Sequence, residues 1–298
     1  MTKKIVLAGG TGFVGSFLDW KYRSLGYDVI SISRRPGHMG WQEKEKIAEG
    51  LDGAELLVNL AGKSVNCRYN KSNREQIFRS RTDTTEALGK AVLACANPPK
   101  LWLNASTATI YRHAEDRPMT EAEGELGSGF SVEVAKAWEQ SFFSFKLPYT
   151  RQAALRIAIV LGSHGGVMVP YSNLVKFGLG GAQGSGRQMF SWIHIEDLFE
   201  IIRFLQSRED LSGVFNCSAP APVTNRVLMK ELRAVMGRRL GLPAASWMLE
   251  IGAFLLRTET ELILKSRFVV PERLLTEGYS FKYPSLDDAL QHIVSEKS

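Results

Sequence analysis

Three glycines near the amino terminus have the spacing of a turn that binds phosphate groups. Gly9, Gly12 and Gly15 are three residues apart, between the apolar run Lys3–Ala8 and a helical pattern. Position 9 needs glycine for a tight turn, position 12 for close approach to a pyrophosphate, and position 15 for packing of the helix on the strand. The amino end of that helix offers unpaired N–H groups to the phosphates. The cofactor-binding residues predicted from this turn are Gly9, Thr11, Gly12, Phe13, Val14 and Gly15.

Two arginines after the second predicted strand indicate which dinucleotide the turn binds. That strand spans Tyr27–Ser33 and leads into Arg34 and Arg35. NAD sites usually place an acidic residue here, because a carboxylate accepts a hydrogen bond from the ribose 2′-hydroxyl. A carboxylate would repel the 2′-phosphate of NADP, whereas a guanidinium group attracts it. We therefore predict NADP(H), bound by Ser33 and Arg34; the alternative is that the arginines only cap a surface loop.

The elements that must position these residues alternate between strands and helices. Buried strands are also predicted at 56–62, 101–106, 155–162 and 214–217. This order predicts an α/β fold, a Rossmann-type doubly wound parallel sheet with a smaller, mixed α/β C-terminal substrate lobe. We expect residues 1–162 to form the NADP-binding domain, whose sheet also receives 190–218. Residues 163–298 are expected to form the substrate lobe and a C-terminal extension.

The composition argues against several classes of protein. Of the 298 residues, 44% are hydrophobic and 23% are charged, as in ordinary globular domains. The net charge of +6 is spread along the chain, so we expect no nucleic-acid partner. Cys67, Cys95 and Cys217 are far apart and indicate neither a disulfide framework nor a metal site. No apolar stretch approaches the roughly 18 residues of a membrane span, so a cytoplasmic protein without a membrane anchor is expected.

Short motifs are spread along nearly the whole chain. They are Asn59–Gly62, Ser80–Arg81, Ala137–Glu139, Arg156–Gly162, Gly178–Gly181, Gly184–Gln188, Ser191–Asp197, Pro271–Leu275 and Gly278–Pro284. Together with the GxxGxxG spacing of the glycine turn, they resemble an atypical group of extended short-chain dehydrogenases/reductases, the epimerase-family proteins. The resemblance implies a Rossmann fold and a nicotinamide cofactor, but it implies no particular substrate.

The resemblance also implies contacts beyond the glycine turn. The further residues that it implies for cofactor binding are Leu60, Ala61, Gly62, Arg81 and Leu161. For Arg81, an ordinary place on a helix surface is the alternative. The glycine-rich loop 163–188 is expected to line a small-molecule substrate, and Arg187 would hold its phosphate or carboxylate group; a purely structural loop is the alternative.

Hydroxyl groups end the predicted strand 101–106. The segment Ala105–Tyr111 is similar to the Ser-Ser-x-x-Val-Tyr segment of extended short-chain dehydrogenases. In that family the hydroxyl at the Thr107 position polarises a substrate oxygen, and Ser106 takes this role if the register differs by one residue. Thr107 and Tyr111 are therefore catalytic candidates and Ser106 a substrate-binding candidate; the alternative is that these hydroxyls only cap the loop.

The tyrosine and lysine of the superfamily are missing. Its reductive chemistry uses Tyr-x-x-x-Lys, in which the lysine lowers the phenol pKa so that tyrosine exchanges a proton while hydride moves. Glu139 fits the glutamate that comes after this pair, which puts Ser131 and Ala135 where Tyr and Lys should be. Tyr111 could supply a proton by another geometry.

Two classes of function therefore stay open. The first is an NADP(H)-dependent oxidoreductase or epimerase acting on a small or nucleotide-linked substrate, whose reacting oxygen Thr107 would bind. The second is a non-catalytic NADP(H) sensor or partner-binding protein, which the missing pair favours, since a fold alone does not establish chemistry. The apolar stretch Pro243–Leu256 is predicted to be core, with a substrate-cleft wall or a homodimer surface as the alternative.

Overall fold

Six parallel strands form the central sheet of the structure, a computed structural model that describes residues 2–245, 259 and 261–296. The strands in chain order are β1 (Lys4–Ala8), β2 (Asp28–Ile32), β3 (Leu56–Asn59), β4 (Leu101–Thr107), β5 (Arg151–Ile157), β6 (Ile159–Leu161), β7 (Met189–Phe190), β8 (Trp192–His194), β9 (Gly213–Cys217) and β10 (Val223–Thr224). The main sheet has the order β2-β1-β3-β4-β5-β9, and each neighbouring pair is parallel.

Helices cover both faces of this sheet. Those of the described residues are α1 (Phe13–Ser24), α2 (Lys44–Leu51), α3 (Lys71–Ala94), α4 (Phe130–Phe143), α5 (Met168–Lys176), α6 (Ile195–Ser207), α7 (Asn225–Val235), α8 (Glu261–Leu264), α9 (Glu272–Thr276) and α10 (Leu286–Ser295). Ile5 and Leu7 of β1 pack in a core with α1 and α6, whereas Val6 and Ala8 pack in a core with α2, α3 and α4. Because successive side chains of a strand point to opposite faces, one apolar run serves both cores. The predicted doubly wound Rossmann-type sheet is confirmed.

The strand order places a crevice beside the end of β1. The chain moves from β1 outward to β2 on one side, and from β3 outward through β4 and β5 on the other. Connections that diverge in this way leave a gap above the carboxyl ends of β1 and β3. Ligands of open α/β sheets bind at this switch point.

A second apolar core lies in the C-terminal half of the chain. Helices α5, α7 and α10 bury apolar side chains there, including Tyr171, Leu228 and Leu290. Two small sheets accompany them, one formed by β6 with β8 and the other by β7 with β10. This arrangement is a mixed α/β lobe of the kind that the sequence predicted.

One predicted strand boundary was wrong. The predicted strand 155–162 divides at Ala158, whose N–H still donates to the Cys217 carbonyl, whereas the N–H of Ile159 donates to Ser191. Residues 159–161 therefore leave the main sheet and pair with β8. Of the segment 190–218, β9 joins the main sheet, and β7 and β8 belong to the two small sheets. The division into domains at residue 162 stays a prediction.

Two further expectations concern the apolar stretch Pro243–Leu256 and the lack of a membrane span. The apolar stretch Pro243–Leu256 lies outside the described residues from position 246 onward. Among the helices that the structure describes, none has the length and apolar character needed to cross a membrane.

Candidate functional site

The glycine turn joins β1 to α1 at the carboxyl edge of the sheet. Gly9 has a φ of +82°, and a Cβ atom there would lie 2.8 Å from the carbonyl carbon of Leu60. A Cβ at Gly15 would lie 2.4 Å from the carbonyl oxygen of Gly9. At Gly12 the first such neighbour would be 3.5 Å away, which is an ordinary contact. Positions 9 and 15 therefore need glycine for the turn itself, whereas glycine at position 12 leaves the backbone open to a ligand.

The first turn of α1 carries no side chain that competes with an anion. Gly12 is the N-cap residue, no side chain caps the helix, and the first turn contains no acidic residue. The N–H of Gly12 donates to the Gly9 carbonyl at 3.1 Å, and the N–H of Ser16 donates to the Gly12 carbonyl at 2.8 Å. The start of the helix therefore has the free N–H groups and the positive dipole end that bind phosphates.

The end of β2 lies against this turn. The hydroxyl oxygens of Thr11 and Ser33 are 2.8 Å apart, and the N–H of Arg35 donates to the Ser33 hydroxyl at 3.1 Å. Arg34 and Arg35 are exposed, and their guanidinium groups form no ion pair with any described residue. Two uncompensated positive charges are thus held beside the glycine turn.

The loop after β3 forms the opposite wall of the turn. Buried Asn59 donates to the hydroxyl of Thr85 at 3.0 Å and to Asn104 Oδ1 at 2.7 Å. Its own Oδ1 accepts from the N–H of Ala61 at 3.0 Å. These bonds hold the predicted residues Leu60, Ala61 and Gly62 in place, so that the Leu60 backbone meets Gly9.

Arg81 of α3 lies directly behind this loop. A Cβ at Gly62 would lie 3.0 Å from its guanidinium carbon. The guanidinium group donates to the carbonyls of Lys63 and Ile77 and lies 5.1 Å from the Trp138 ring centre. It has no carboxylate partner among the described residues, and burial lowers the pKa of Arg81 to about 10. The helix-surface alternative is therefore wrong, while a contact with the cofactor stays a prediction.

Thr107, the first catalytic candidate, ends β4 and caps the short 3-10 turn Ala108–Ile110. Its hydroxyl oxygen accepts from the N–H of Thr109 at 3.1 Å, and the side chain is partly exposed. The hydroxyl proton has no acceptor among the described residues, so capping and substrate binding are compatible. The role of Thr107 stays a prediction.

Ser106 and Tyr111 lie in a buried polar network, and this corrects the roles predicted for them. The Ser106 hydroxyl donates to Glu139 Oε1 at 2.6 Å, and the same carboxylate receives two hydrogen bonds from Arg156. Arg156 also donates to the Tyr111 hydroxyl at 2.8 Å, and that hydroxyl lies 2.9 Å from Asn216 Oδ1.

Burial raises the pKa of Tyr111, a residue that is 1% exposed. Ser106 is 5% exposed and its proton is already donated. Both hydroxyls already have hydrogen-bond partners within the protein, and this leaves neither of them for a substrate. We therefore assign both residues to the support of β4 and α4.

The side chains of Phe13 and Leu161, two predicted cofactor-binding residues, pack against other parts of the protein. The Phe13 ring lies against the loop after β6, where a Cβ at Gly165 would be 2.6 Å from the ring. Leu161 is fully buried in the C-terminal core. Any contact of these two residues with a cofactor would therefore come mainly from their backbone atoms.

Arg187, the predicted anion holder, lies on the surface. Its side chain is 78% exposed, and its Nε is 3.9 Å from a carboxylate oxygen of Glu115. Such an exposed pair is weak and leaves the guanidinium group able to bind another anion. Its part in substrate binding stays a prediction.

The first turns of α4 carry the residues that replace the superfamily's tyrosine and lysine. Ala135 is 1% exposed and packs in a core with Val132. The Ser131 hydroxyl donates to Glu261 Oε2 at 3.3 Å. At the two positions of the missing pair, α4 therefore presents a buried methyl group and a single hydroxyl.

Polar residues from two distant segments surround Ser131, and the sequence motifs gave no sign of them. We call Tyr69, Ser131, Glu261 and Lys265 the Ser131 cluster. Lys265 Nζ donates to the Thr109 carbonyl at 2.9 Å and lies 3.9 Å from Glu261 Oε1. No sequence motif marked these residues, because they are far apart in the sequence and meet only in the folded chain.

Described residues line a cavity on each of two sides of the molecule. One, of 860 Å³, lies at the amino ends of the strands, where it is lined by Lys3, Glu55 and Tyr149 among others, and it contains none of the predicted site residues. The other, of 570 Å³, is lined by His113, Gly127, Ser128, Glu261 and Lys265 with their neighbours. The smaller cavity therefore opens onto the Ser131 cluster.

Comparisons with known proteins match both parts of the chain. A model described as the NAD dependent epimerase/dehydratase family matches residues 5–135, and a domain of unknown function (DUF1731) matches residues 244–293. Epimerase family protein SDR39U1 of Homo sapiens is 33% identical over 98% of this chain and 100% of its own length.

Solved structures resemble this one over nearly its whole length. A crystal structure of human epimerase family protein SDR39U1 (isoform2) with NADPH has a TM-score of 0.89 at 32% identity, covering 98% of this chain and 99% of that chain. A nucleoside-diphosphate sugar epimerase from Corynebacterium glutamicum has a TM-score of 0.79 at 28% identity, covering 99% of this chain and 59% of that chain.

Proposed function

This chain belongs to the NAD-dependent epimerase/dehydratase family, and from that premise we propose that it binds NADP(H) and uses it as an oxidoreductase or epimerase. The substrate class that we propose is a small or nucleotide-linked molecule. When bound, the nicotinamide would supply or accept a hydride. The protein itself must bind the cofactor, orient the substrate and move a proton.

The observation that carries the cofactor proposal is the pair of uncompensated arginines beside an uncapped helix start. The helix start fits the pyrophosphate, because Gly12 leaves its backbone open and no acidic side chain lies in the first turn. Arg34 and Arg35 fit the 2′-phosphate, because they are exposed and no described residue neutralises them. The human relative crystallised with NADPH supports the same assignment.

The remaining contacts of the proposed site come from the neighbouring loops. Leu60, Ala61 and Gly62 would line the cofactor from the side of β3, with Arg81 behind them. Thr107 would hold the reacting oxygen of the substrate, since its hydroxyl lies at the end of β4 and keeps a proton to donate. These roles rest on position and hydrogen-bonding capacity.

A second candidate function is cofactor binding without turnover. Ala135 and Ser131 favour it, because α4 carries neither a phenol nor an ammonium group at these positions. A protein of this kind would report the NADPH/NADP⁺ ratio to a partner. The two candidates agree on the cofactor and differ only in whether the bound cofactor reacts.

Replacing Arg34 with Asp tests the cofactor assignment. Charge-assisted hydrogen bonds contribute about 1.5–3 kcal/mol, so Arg34→Asp should weaken NADPH binding by roughly 10- to 100-fold. NADH binding should change by less than about threefold, because NADH has no 2′-phosphate. Fluorescence titration of both cofactors measures the two affinities.

Arg239→Asp is the matched control, since Arg239 is exposed and lies beyond the end of α7. Equal losses of NADPH and NADH affinity in Arg34→Asp would contradict the proposed role of Arg34. A screen of NADPH oxidation against aldehydes and ketones then separates the two candidates, because binding without turnover across a broad panel favours the sensor.

A further inference from the structure

Tyr69 reaches the place on α4 where the superfamily's tyrosine is missing. It lies in the loop between β3 and α3, and its ring packs edge-on against Phe130 with 5.1 Å between the ring centres. Phe130 directly precedes Ser131, and the Ser131 side chain is close enough to act on the Tyr69 hydroxyl. A phenol from another element thus stands next to the position that lacks one.

The hydroxyl of Tyr69 is buried and lacks a well-formed hydrogen bond to any of the described residues. Buried polar groups are nearly always hydrogen-bonded, so an exception calls for an explanation such as a bound water molecule, an ion or a catalytic role. Burial raises the pKa of Tyr69, and the neighbouring Ser131 hydroxyl opposes this rise. The phenol is therefore protonated at neutral pH and is able to donate.

A polar path leads from Tyr69 to solvent. The Ser131 hydroxyl donates to Glu261 Oε2 at 3.3 Å, and Glu261 Oε1 lies 3.9 Å from Lys265 Nζ. Glu261 is 38% exposed, and it lines the 570 Å³ cavity together with Lys265. Protons can therefore be exchanged with water at the outer end of this path.

The inner end of the path lies toward the proposed cofactor site. Arg81 is close enough to Tyr69 for their charges to interact, and it packs directly behind Gly62. The same guanidinium group lies over the Trp138 ring of α4. Tyr69 thus belongs to the loop whose first residues form the wall of the glycine turn, and its ring packs against the start of α4.

We propose that Tyr69 is the proton donor of this protein and that Ser131, Glu261 and Lys265 resupply its proton. The inference rests on the proposed function, since it needs a reduced nicotinamide that supplies a hydride to a carbonyl compound. As the carbonyl carbon gains the hydride, the C=O π bond breaks and the oxygen takes the proton of Tyr69. The phenolate then takes the Ser131 proton, and Ser131 recovers one from bulk solvent through water beside Glu261 and Lys265, so that the whole step consumes one solvent proton.

Several charged groups surround the phenol and must be considered in any titration. Glu259 and Glu261 approach from the C-terminal segment, and Cys67 approaches from the loop of Tyr69 itself. Arg81 of α3 and the buried Arg267 contribute positive charge. None of them changes charge when the cofactor changes its redox state, so a difference between cofactor complexes isolates the effect of the nicotinamide.

The decisive experiment titrates Tyr69 in the two cofactor complexes. Ultraviolet difference spectra of the wild-type protein against Tyr69→Phe give the pKa of this phenol with NADPH and with NADP⁺. The oxidised ring is positively charged, so we expect the pKa of Tyr69 to be lower with NADP⁺ by about one pH unit. Tyr149→Phe is the matched control, because Tyr149 is 79% exposed at the opposite edge of the sheet.

Each outcome of the titration has a definite meaning. Equal values of the Tyr69 pKa in both complexes would overturn the inference and leave the cofactor proposal intact. Failure of the protein to bind either cofactor would overturn both. A Tyr69 pKa that is lower with NADP⁺ than with NADPH, seen in wild-type and Tyr149→Phe protein and absent from Tyr69→Phe, supports the inference.

Turnover of a probe gives an independent measurement. With 4-nitrobenzaldehyde and NADPH, Tyr69→Phe should lower kcat by about 100-fold, the usual size of a general-acid effect, while KM changes by less than about threefold. Ser131→Ala should lower kcat less and shift the pH profile. An unchanged kcat in Tyr69→Phe would overturn the inference, and if wild-type protein does not reduce this aldehyde, the titration alone decides.

Discussion

The glycine turn and the Ser131 cluster lie at the same edge of the sheet, but the chain builds them in different ways. The glycine turn and the arginines beside it come from one continuous stretch, in which the N–H of Gly9 donates to the Ile32 carbonyl at 2.8 Å. The Ser131 cluster joins three separate segments, and its central hydrogen bond links residues that are 130 positions apart. Local spacing encodes the first region, whereas the second exists only after the whole chain has folded.

The two regions also differ in how their charges are balanced. Arg34 and Arg35 have no acidic partner among the described residues and are exposed. In the Ser131 cluster, Lys265 and Glu261 lie 3.9 Å apart and are partly enclosed. An open, uncompensated positive region suits a bound anion, and an enclosed set of hydroxyl and charged groups suits proton transfer. Experiments that affect one region and not the other therefore test this comparison.

The largest effect on stability is expected from the buried polar network that links Ser106, Tyr111, Glu139 and Arg156. Arg156 and Glu139 form a bidentate pair whose side chains are 10% and 12% exposed. Replacing one partner leaves the other charge buried without compensation, so Arg156→Met should lower the free energy of unfolding by about 3–5 kcal/mol. Urea unfolding measures this loss. NADPH affinity of the protein that remains folded should stay close to the wild-type value, because the network does not contact the glycine turn.

The matched control for this prediction is an exposed pair on α1. Arg23→Met removes an ion pair with Asp19 whose side chains are 51% and 27% exposed. Its effect should be less than about 1 kcal/mol, since exposed ion pairs are screened by water. If Arg156→Met were no more harmful than Arg23→Met, the network would not support the sheet in the way described.

The glycine turn shows how much the sequence could predict. Glycine at positions 9 and 15 is required by contacts with Leu60 and with the turn itself, and these contacts result from the strand-turn-helix order. The places of Ser33 and Arg34 after the second strand could be predicted from the same kind of local pattern. The strands of the main sheet could be predicted from continuous apolar runs, because a strand with a core on each face buries successive side chains.

Other features of the site and the sheet could not be predicted, because they depend on packing between residues that are far apart in the sequence. Ser106 and Tyr111 have the residue types of a catalytic segment, but Glu139, Arg156 and Asn216 enclose them from other elements. Residue types alone do not show whether a hydroxyl is open or enclosed. Likewise, the strand 155–162 divides because β8 offers Ile159 an alternative partner, which the run of apolar residues does not reveal.

The next largest effect is expected at Gly12. Its φ and ψ of −80° and 174° are allowed for any residue, and a Cβ would have no close neighbour. Gly12→Val should therefore fold with a loss of about 1 kcal/mol or less, as expected for a poorer N-cap residue. Its side chain would occupy the space of the pyrophosphate, so NADPH affinity should fall about 100-fold, which corresponds to about 2.7 kcal/mol.

Thermal unfolding and cofactor titration of the same protein separate these two effects. Gly9→Val provides the contrast, because a Cβ there meets the Leu60 backbone at 2.8 Å and the φ is positive. That variant should lose stability as well as affinity. Wild-type NADPH affinity in Gly12→Val would show that the pyrophosphate does not bind over this residue.

The smallest effect is expected from Ser33→Ala, which tests whether Ser33 positions the arginine loop or supports the glycine turn. The buried Ser33 hydroxyl accepts from the N–H of Arg35 and lies 2.8 Å from the Thr11 hydroxyl, so it connects the two parts of the proposed site. A typical hydrogen bond contributes about 1 kcal/mol, so Ser33→Ala should weaken NADPH binding by roughly fivefold.

NADH binding should change less, because the turn keeps its glycines while the arginine loop loses the hydrogen bond that positions it. Fluorescence titration of both cofactors, with Ser16→Ala on α1 as the control, measures the difference. Equal losses for NADPH and NADH would instead show that Ser33 supports the glycine turn as a whole.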